Sequence, residues 1–149
     1  MLSVSFFYDP DAGFISNVDG KPDIVIKDPV VERKGQYSPT EYLLFALGGC
    51  SAADVILIIK KMKISPESFS VKVDAEREAN DPKVVKYAKI SYIFSGEVDP
   101  AKVERAINLS LTKYCSVSIL MERGGTDVRY DLIINGKPLK ENAVPSAVN

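Results

Sequence analysis

Residues 38–63, SPTEYLLFALGGCSAADVILIIKKMK, constrain the fold more than any other stretch of the chain. They read as one long helix. Between 43 and 59, apolar or small residues occur on every side of a 3.6-residue period, where a surface helix would show a stripe, so protein must enclose this helix all round. Its ends are marked. Ser38 suits an N-cap and Pro39 the first helical position, where the amide proton it lacks would have been unpaired anyway. Glu41 completes an S-x-x-E capping box and sets a negative charge at the positive end of the helix dipole. Lys60, Lys61 and Lys63 crowd the other end, where cations are favoured.

Gly48 and Gly49 stand in the helix interior, each at a cost of about 1 kcal/mol relative to Ala. They imply a close neighbour or a local irregularity, and Cys50 follows at once. Taken alone, the helix makes Cys50 a small buried hydrophobe, as most free cysteines are.

With 149 residues and 46% hydrophobic content, the chain can bury a sizeable core, and a single domain over 1–149 is expected. Nineteen basic against twenty acidic residues, with no basic block, exclude a phosphate-tracking surface and hence nucleic acid. The opening run MLSVSFFYDPDAG lacks the charged and apolar regions of a signal peptide. A membrane span at 42–59 would carry Asp54 near its centre, at roughly 2.5–3.5 kcal/mol in lipid. A cytoplasmic protein with no membrane partner is expected. Two cysteines are too few for a secreted disulfide scaffold and their spacing fits no zinc pattern. There is no histidine, which removes Ser-His and Cys-His catalysis and the common histidine metal sites. Chemistry here must use thiols, carboxylates, Arg, Lys or Tyr.

Along the chain, strands are expected at 2–8, 14–17 and 24–26, separated by Asp9-Pro10-Asp11-Ala12-Gly13 and Asp19-Gly20 turns. The connection KDPVVERKGQY leads to the long helix. Phe69, Val71, Val73 and Ala75 alternate with polar residues, and Ala88, Ile90, Tyr92 and Phe94 share a face of the next run. These read as a long hairpin around Asn80-Asp81-Pro82. Asp99-Pro100 opens a second helix with Val103, Ala106, Ile107 and Leu111 inward. A break at 113–118 leads to a third helix with Cys115 near its N-terminus, ended by Gly124-Gly125. Val128, Tyr130, Leu132 and Ile134 alternate into a last strand closed by Asn135-Gly136, and the tail from Lys140 reads as frayed. The fold class is α+β, in the order β-β-β-α-β-β-α-α-β: a meander and connection at 1–37, the central helix at 38–63, the remainder at 64–149. So few strands cannot cover a helix buried all round, so a homodimer with two such helices packed together is expected.

Cys50 and Cys115 are 65 positions apart, each at or beside a helix. A thiol peroxidase uses such a pair: one thiolate takes oxygen from a peroxide, and the second captures the sulfenic acid as a disulfide. Two reduced cysteines that only pack are the alternative.

The run SPTEYLLFALGGCSAADV, KYCSVS further on and a closing strand ending in NGK together resemble the OsmC/Ohr family of osmotically induced and organic hydroperoxide resistance proteins, nearest its YhfA-like branch. The resemblance covers most of the chain from the connection before the helix. It implies an OsmC-like fold and an intertwined homodimer reducing organic hydroperoxides, with Cys50 peroxidatic and Cys115 resolving. An external dithiol, thioredoxin-like or lipoyl, would restore the thiols, with no metal, flavin or haem as cofactor. The resolving motif often reads C-P-V-S; here Ser116 replaces the proline.

In the hydroperoxide resistance branch an arginine from the N-terminal strands activates the thiol, and a glutamate after the helix-initial proline orients it. Here Arg33 is the only arginine before the helix, and it stands as candidate thiolate partner beside the reading of a solvated loop charge. Thr40 follows Pro39, so the carboxylate is Glu41, first a cap and second a partner for Arg33. On a helix of 3.6 residues per turn, Glu41 lies about half a turn round from Cys50. Asp54, one turn beyond Cys50, carries a charge that opposes a neighbouring thiolate; a lysine or backbone from another element is its expected partner. A non-enzymatic small-ligand binder or a thiol redox sensor on the same fold are the rival readings.

Overall fold

The computed structural model describes residues 1–30 and 35–149. The chain forms two compact units, residues 1–43 and 44–149.

In the first unit β1 (Phe6–Asp9), β2 (Gly13–Ser16) and β3 (Val25–Ile26) make an antiparallel sheet in that order, the meander that the turn signals indicate. The Asp9 carboxylate accepts from the amides of Asp11 and Ala12 at 2.7 and 2.8 Å, which closes the first turn as Asx geometry does. Gly13 adopts φ +93°, and a Cβ there would stand 2.9 Å from the Ile26 carbonyl oxygen. Only glycine serves this position. The strand expected from residue 2 starts four residues later, at Phe6.

Helix α1 runs over Pro39–Lys61. Its capping box is formed: the Ser38 amide and hydroxyl both donate to Glu41 Oε2 at 2.8 Å, and the Glu41 amide donates back to Ser38 Oγ at 3.3 Å.

The second unit is built on a four-stranded sheet, order β4-β5-β6-β7. β4 (Ser68–Arg77) and β5 (Val85–Ser95) form the expected antiparallel hairpin. Asp99 caps α2 (Pro100–Leu109) by accepting from the Ala101 and Lys102 amides. A π-helical turn, Ser110–Tyr114, then leads to α3 (Ser116–Arg123) and to β6 (Asp127–Ile134), which lies parallel to β5. The inward faces read from the alternation are buried: Ala88, Ile90, Tyr92 and Phe94 on β5, Val128, Tyr130, Leu132 and Ile134 on β6, with Val103, Ala106, Ile107 and Leu111 closing over them.

One expectation is corrected. The tail is not frayed from Lys140, because β7 (Lys137–Ala143) pairs antiparallel with β6. Asn135 and Gly136 both take positive φ, 49° and 75°, the requirement of a two-residue type I′ hairpin that Asn-Gly serves. Among the described residues the chain by itself leaves part of α1 uncovered, the circumstance for which a second copy is expected. One face, Leu47, Gly48, Ser51, Val55 and Ile59, is buried, whereas Leu57 is 55% exposed and Gly49 faces open space. Gly48 is explained by the sheet: a Cβ there would come 2.9 Å from Val73 Cγ2 and 3.6 Å from Val71 Cγ1. Among the described residues α1 is the helix long and apolar enough to cross a membrane; its buried face is occupied by this sheet.

Candidate active site

Cys50 and Asp54 are four residues apart on α1, a spacing that sets side chains on one helix face. Cys115 reaches them from the junction of the π turn with α3. The π turn ends at Cys115, whose amide donates to the Ser110 carbonyl at 2.8 Å and whose backbone is extended (φ −71°, ψ 99°). Leaving the helix at this residue makes Cys115 the N-cap of α3, with its Sγ accepting from the Ser118 amide at 3.4 Å. The outcome is a cluster: the two sulfurs and a carboxylate oxygen of Asp54 all lie within 4.8 Å of one another. Cys115 is fully buried, and Cys50 and Asp54 are half-buried.

Behind the cluster runs a chain of hydroxyls. Tyr92 and Ser51 share a hydrogen bond, the Ser51 and Ser110 hydroxyls lie 3.0 Å apart, and the Ser110 hydroxyl donates to Asp54 Oδ2 at 3.0 Å. A carboxylate can only accept, which sets the direction: Tyr92 donates to Ser51, Ser51 to Ser110, and Ser110 to Asp54. Ser51, Ser110 and Tyr92 are wholly buried, so each needs these partners. Burial pushes the Tyr92 hydroxyl well above its usual range, against the pull of Ser51, and so keeps it a donor. Burial also raises the Cys115 thiol above its ordinary value of 9.0; the Ser118 amide and hydroxyl oppose this, and Cys50 beside it adds to the rise.

The fold thus brings Cys50 and Cys115 together, across 65 positions of sequence. Among the described residues the partner of Asp54 is the Ser110 hydroxyl, where a lysine or a backbone group of another element is expected from the sequence. Glu41 is held in the capping box, and its carboxyl sits below the ordinary range through the Ser38 amide first and the Ser38 hydroxyl second. Arg33 lies outside the described residues. Ser51, Ser110 and Tyr92 went unread in the sequence. Tyr92 is legible as an inward residue but not as a polar one, and Ser110, five residues before Cys115 at the end of a helix, was the available signal for a polar lining.

Comparison with known proteins gives a consistent family. The model of the family described as OsmC-like protein matches residues 32–131. Protein YhfA of Escherichia coli K12 is 38% identical over 87 residues, which are 58% of this chain and 65% of YhfA. The chain therefore matches just under two thirds of that relative's length. Among solved structures, a hypothetical protein from Aquifex aeolicus VF5 superposes with a TM-score of 0.78 at 26% identity, over 89% of this chain and 95% of that one. An organic hydroperoxide resistance protein OsmC from Legionella pneumophila shares the fold, with a TM-score of 0.66 at 15% identity over 89% and 98% of the two chains.

Proposed function

From a chain that belongs to the OsmC-like protein family, we propose a thiol-dependent peroxidase that reduces organic hydroperoxides, with Cys50 peroxidatic and Cys115 resolving. The observation that carries this reading is the meeting of both sulfurs with a carboxylate oxygen inside 4.8 Å. Cys50 sulfur attacks the terminal oxygen of the hydroperoxide, the O–O bond breaks, and the alkoxide leaves as an alcohol with the proton that Cys50 gave up. Cys50 is then a sulfenic acid. Cys115 sulfur attacks it; the S–S bond forms, the S–O bond breaks, and hydroxide leaves as water with the Cys115 proton. The Asp54 carboxylate, within reach of both sulfurs and held by Ser110, supports a proton relay for the two steps. An external dithiol reduces the disulfide and is itself oxidised, and two free thiols regained at each turn suit the reducing cytoplasm.

The order of attack follows from exposure. Cys50 is half-buried and Cys115 is fully buried, so a peroxide meets Cys50 first. Arg33 remains the proposed cation for the thiolate. A homodimer is part of the proposal, supported by the apolar residues that α1 and α3 leave open, Leu57 at 55% and Leu120 at 69% exposure; monomeric mass by light scattering would count against it.

The burial of Cys115 and its raised thiol favour one rival, a sensor whose disulfide forms slowly, and a ligand binder with inert thiols is the other. Consumption of cumene hydroperoxide and hydrogen peroxide, each with several dithiols, separates the three. Sustained turnover with a preference for the organic peroxide is the expected result. Thiol loss without turnover indicates a sensor, and unreactive thiols indicate a binder.

A further inference from the structure

We propose that Cys50, Asp54 and Cys115 form a binding site for a thiophilic divalent cation of the zinc type, which competes with hydroperoxide for the same two sulfurs. The spacing of the cysteines in sequence matches no zinc pattern, and the site exists only because α1 and the π turn bring its ligands together. Two sulfurs and a carboxylate oxygen, mutually within 4.8 Å, are the donor types that zinc takes. A tetrahedral zinc with bonds of about 2.0–2.3 Å sets its ligand atoms about 3.6–3.8 Å apart, so side-chain adjustments of an ångström or less complete the geometry. Three ligands leave a fourth position for water, on the half-buried side where Cys50 and Asp54 reach the surface.

The surroundings are those a metal site needs. Asp54 is oriented by the Ser110 hydroxyl at 3.0 Å, and Ser110 is in turn fixed by Ser51 and Tyr92. Cys115 Sγ accepts from the Ser118 amide at 3.4 Å, a bond that favours sulfur as an anion. Partners of this kind hold first ligands in place and are felt in affinity. Charge points the same way. A carboxylate beside two sulfurs opposes a thiolate by repulsion, yet with a dication between them the three become mutually compatible. The competition with hydroperoxide rests on the peroxidase reading; the binding of the ion does not.

The test is a zinc titration of the reduced full chain against a chromophoric chelator, repeated with Co²⁺ to look for sulfur-to-metal charge-transfer absorption. One ion per chain is expected. Ser110→Ala should weaken binding about tenfold to a hundredfold, while Asp54→Asn, Cys50→Ser and Cys115→Ser should each weaken it by more, with circular dichroism verifying the fold of every variant. Absence of stoichiometric binding, or unchanged affinity in a folded Asp54→Asn chain, overturns the site. A chain that binds zinc but consumes no hydroperoxide keeps the site and loses the peroxidase. If it does both, zinc should protect the thiols from cumene hydroperoxide, and turnover undiminished at saturating zinc overturns the competition.

Discussion

The Ser110 hydroxyl donates to the Asp54 carboxylate at 3.0 Å, joining the residue where α2 gives way to the π turn to the helix that carries Cys50. Ser110→Ala breaks this bond and leaves the Ser51 hydroxyl with one partner fewer in a wholly buried place. Losing a buried hydrogen-bond partner costs about 1–3 kcal/mol. Urea unfolding should show that loss, and an unchanged midpoint would mean that the hydroxyl chain contributes nothing to stability.

The two cysteines have different predicted phenotypes. Cys50→Ser should abolish hydroperoxide turnover. Cys115→Ser should allow one stoichiometric turnover, after which Cys50 proceeds to sulfinic acid, visible as added oxygen by intact-protein mass spectrometry. Unchanged steady-state rates in either variant would dismiss the two-cysteine cycle.

Burial raises the Cys115 thiol above its ordinary value of 9.0, and this has a sign. The folded state holds the thiol proton more tightly than the unfolded state, so the associated stability is complete below the ordinary value and declines as pH rises through it toward the folded one. Stability should therefore fall on the alkaline side, and less steeply in Cys115→Ser. The resolving step should behave oppositely, since the thiolate is the attacking form. Disulfide formation in a single turnover should keep accelerating above pH 9, and a rate already level below that pH would contradict the assignment of Cys115 as the resolving thiol.

The neighbouring glycines of α1 should respond in opposite directions. Gly48→Ala sets a methyl 2.9 Å from Val73 Cγ2 on a stiff β-branched side chain, and overpacking of this kind costs about 1–3 kcal/mol. Gly49→Ala meets nothing within 4 Å and should gain about 1 kcal/mol of helix propensity. Thermal unfolding reads both. A destabilised Gly49→Ala chain whose loss depends on protein concentration would reveal a second copy packed on that glycine.

Local patterns decided much of the architecture. The capping box at Ser38 and Glu41, the proline-led start of α2 and the alternation along β4, β5 and β6 each act within a few residues, and sequence displays them directly. The Asn135-Gly136 hairpin was equally local and equally visible; β7 was missed because Lys137–Ala143 is polar along most of its length and shows no alternation, as an edge strand can. The apolar circumference of α1 was legible too; the tertiary structure decided which face of it, Leu47, Gly48, Ser51, Val55 and Ile59, is buried within one chain.

The candidate site divides along the same line. Cys50 and Cys115 were identifiable from their motifs, because a thiol announces its chemistry wherever it stands. Their meeting with Asp54, and the support of Ser110, Ser51 and Tyr92, depend on the parallel pairing of β5 with β6 and on a π turn that ends the helix at Cys115. Neither is written in a local pattern: a serine hydroxyl or an inward tyrosine becomes part of a site only through the partner that packing brings to it. Sequence determined which groups could react and where the helices begin; tertiary structure decided which of them share one place, since hydrogen bonds and metal or disulfide geometry act over ångströms in space and not over residues along the chain.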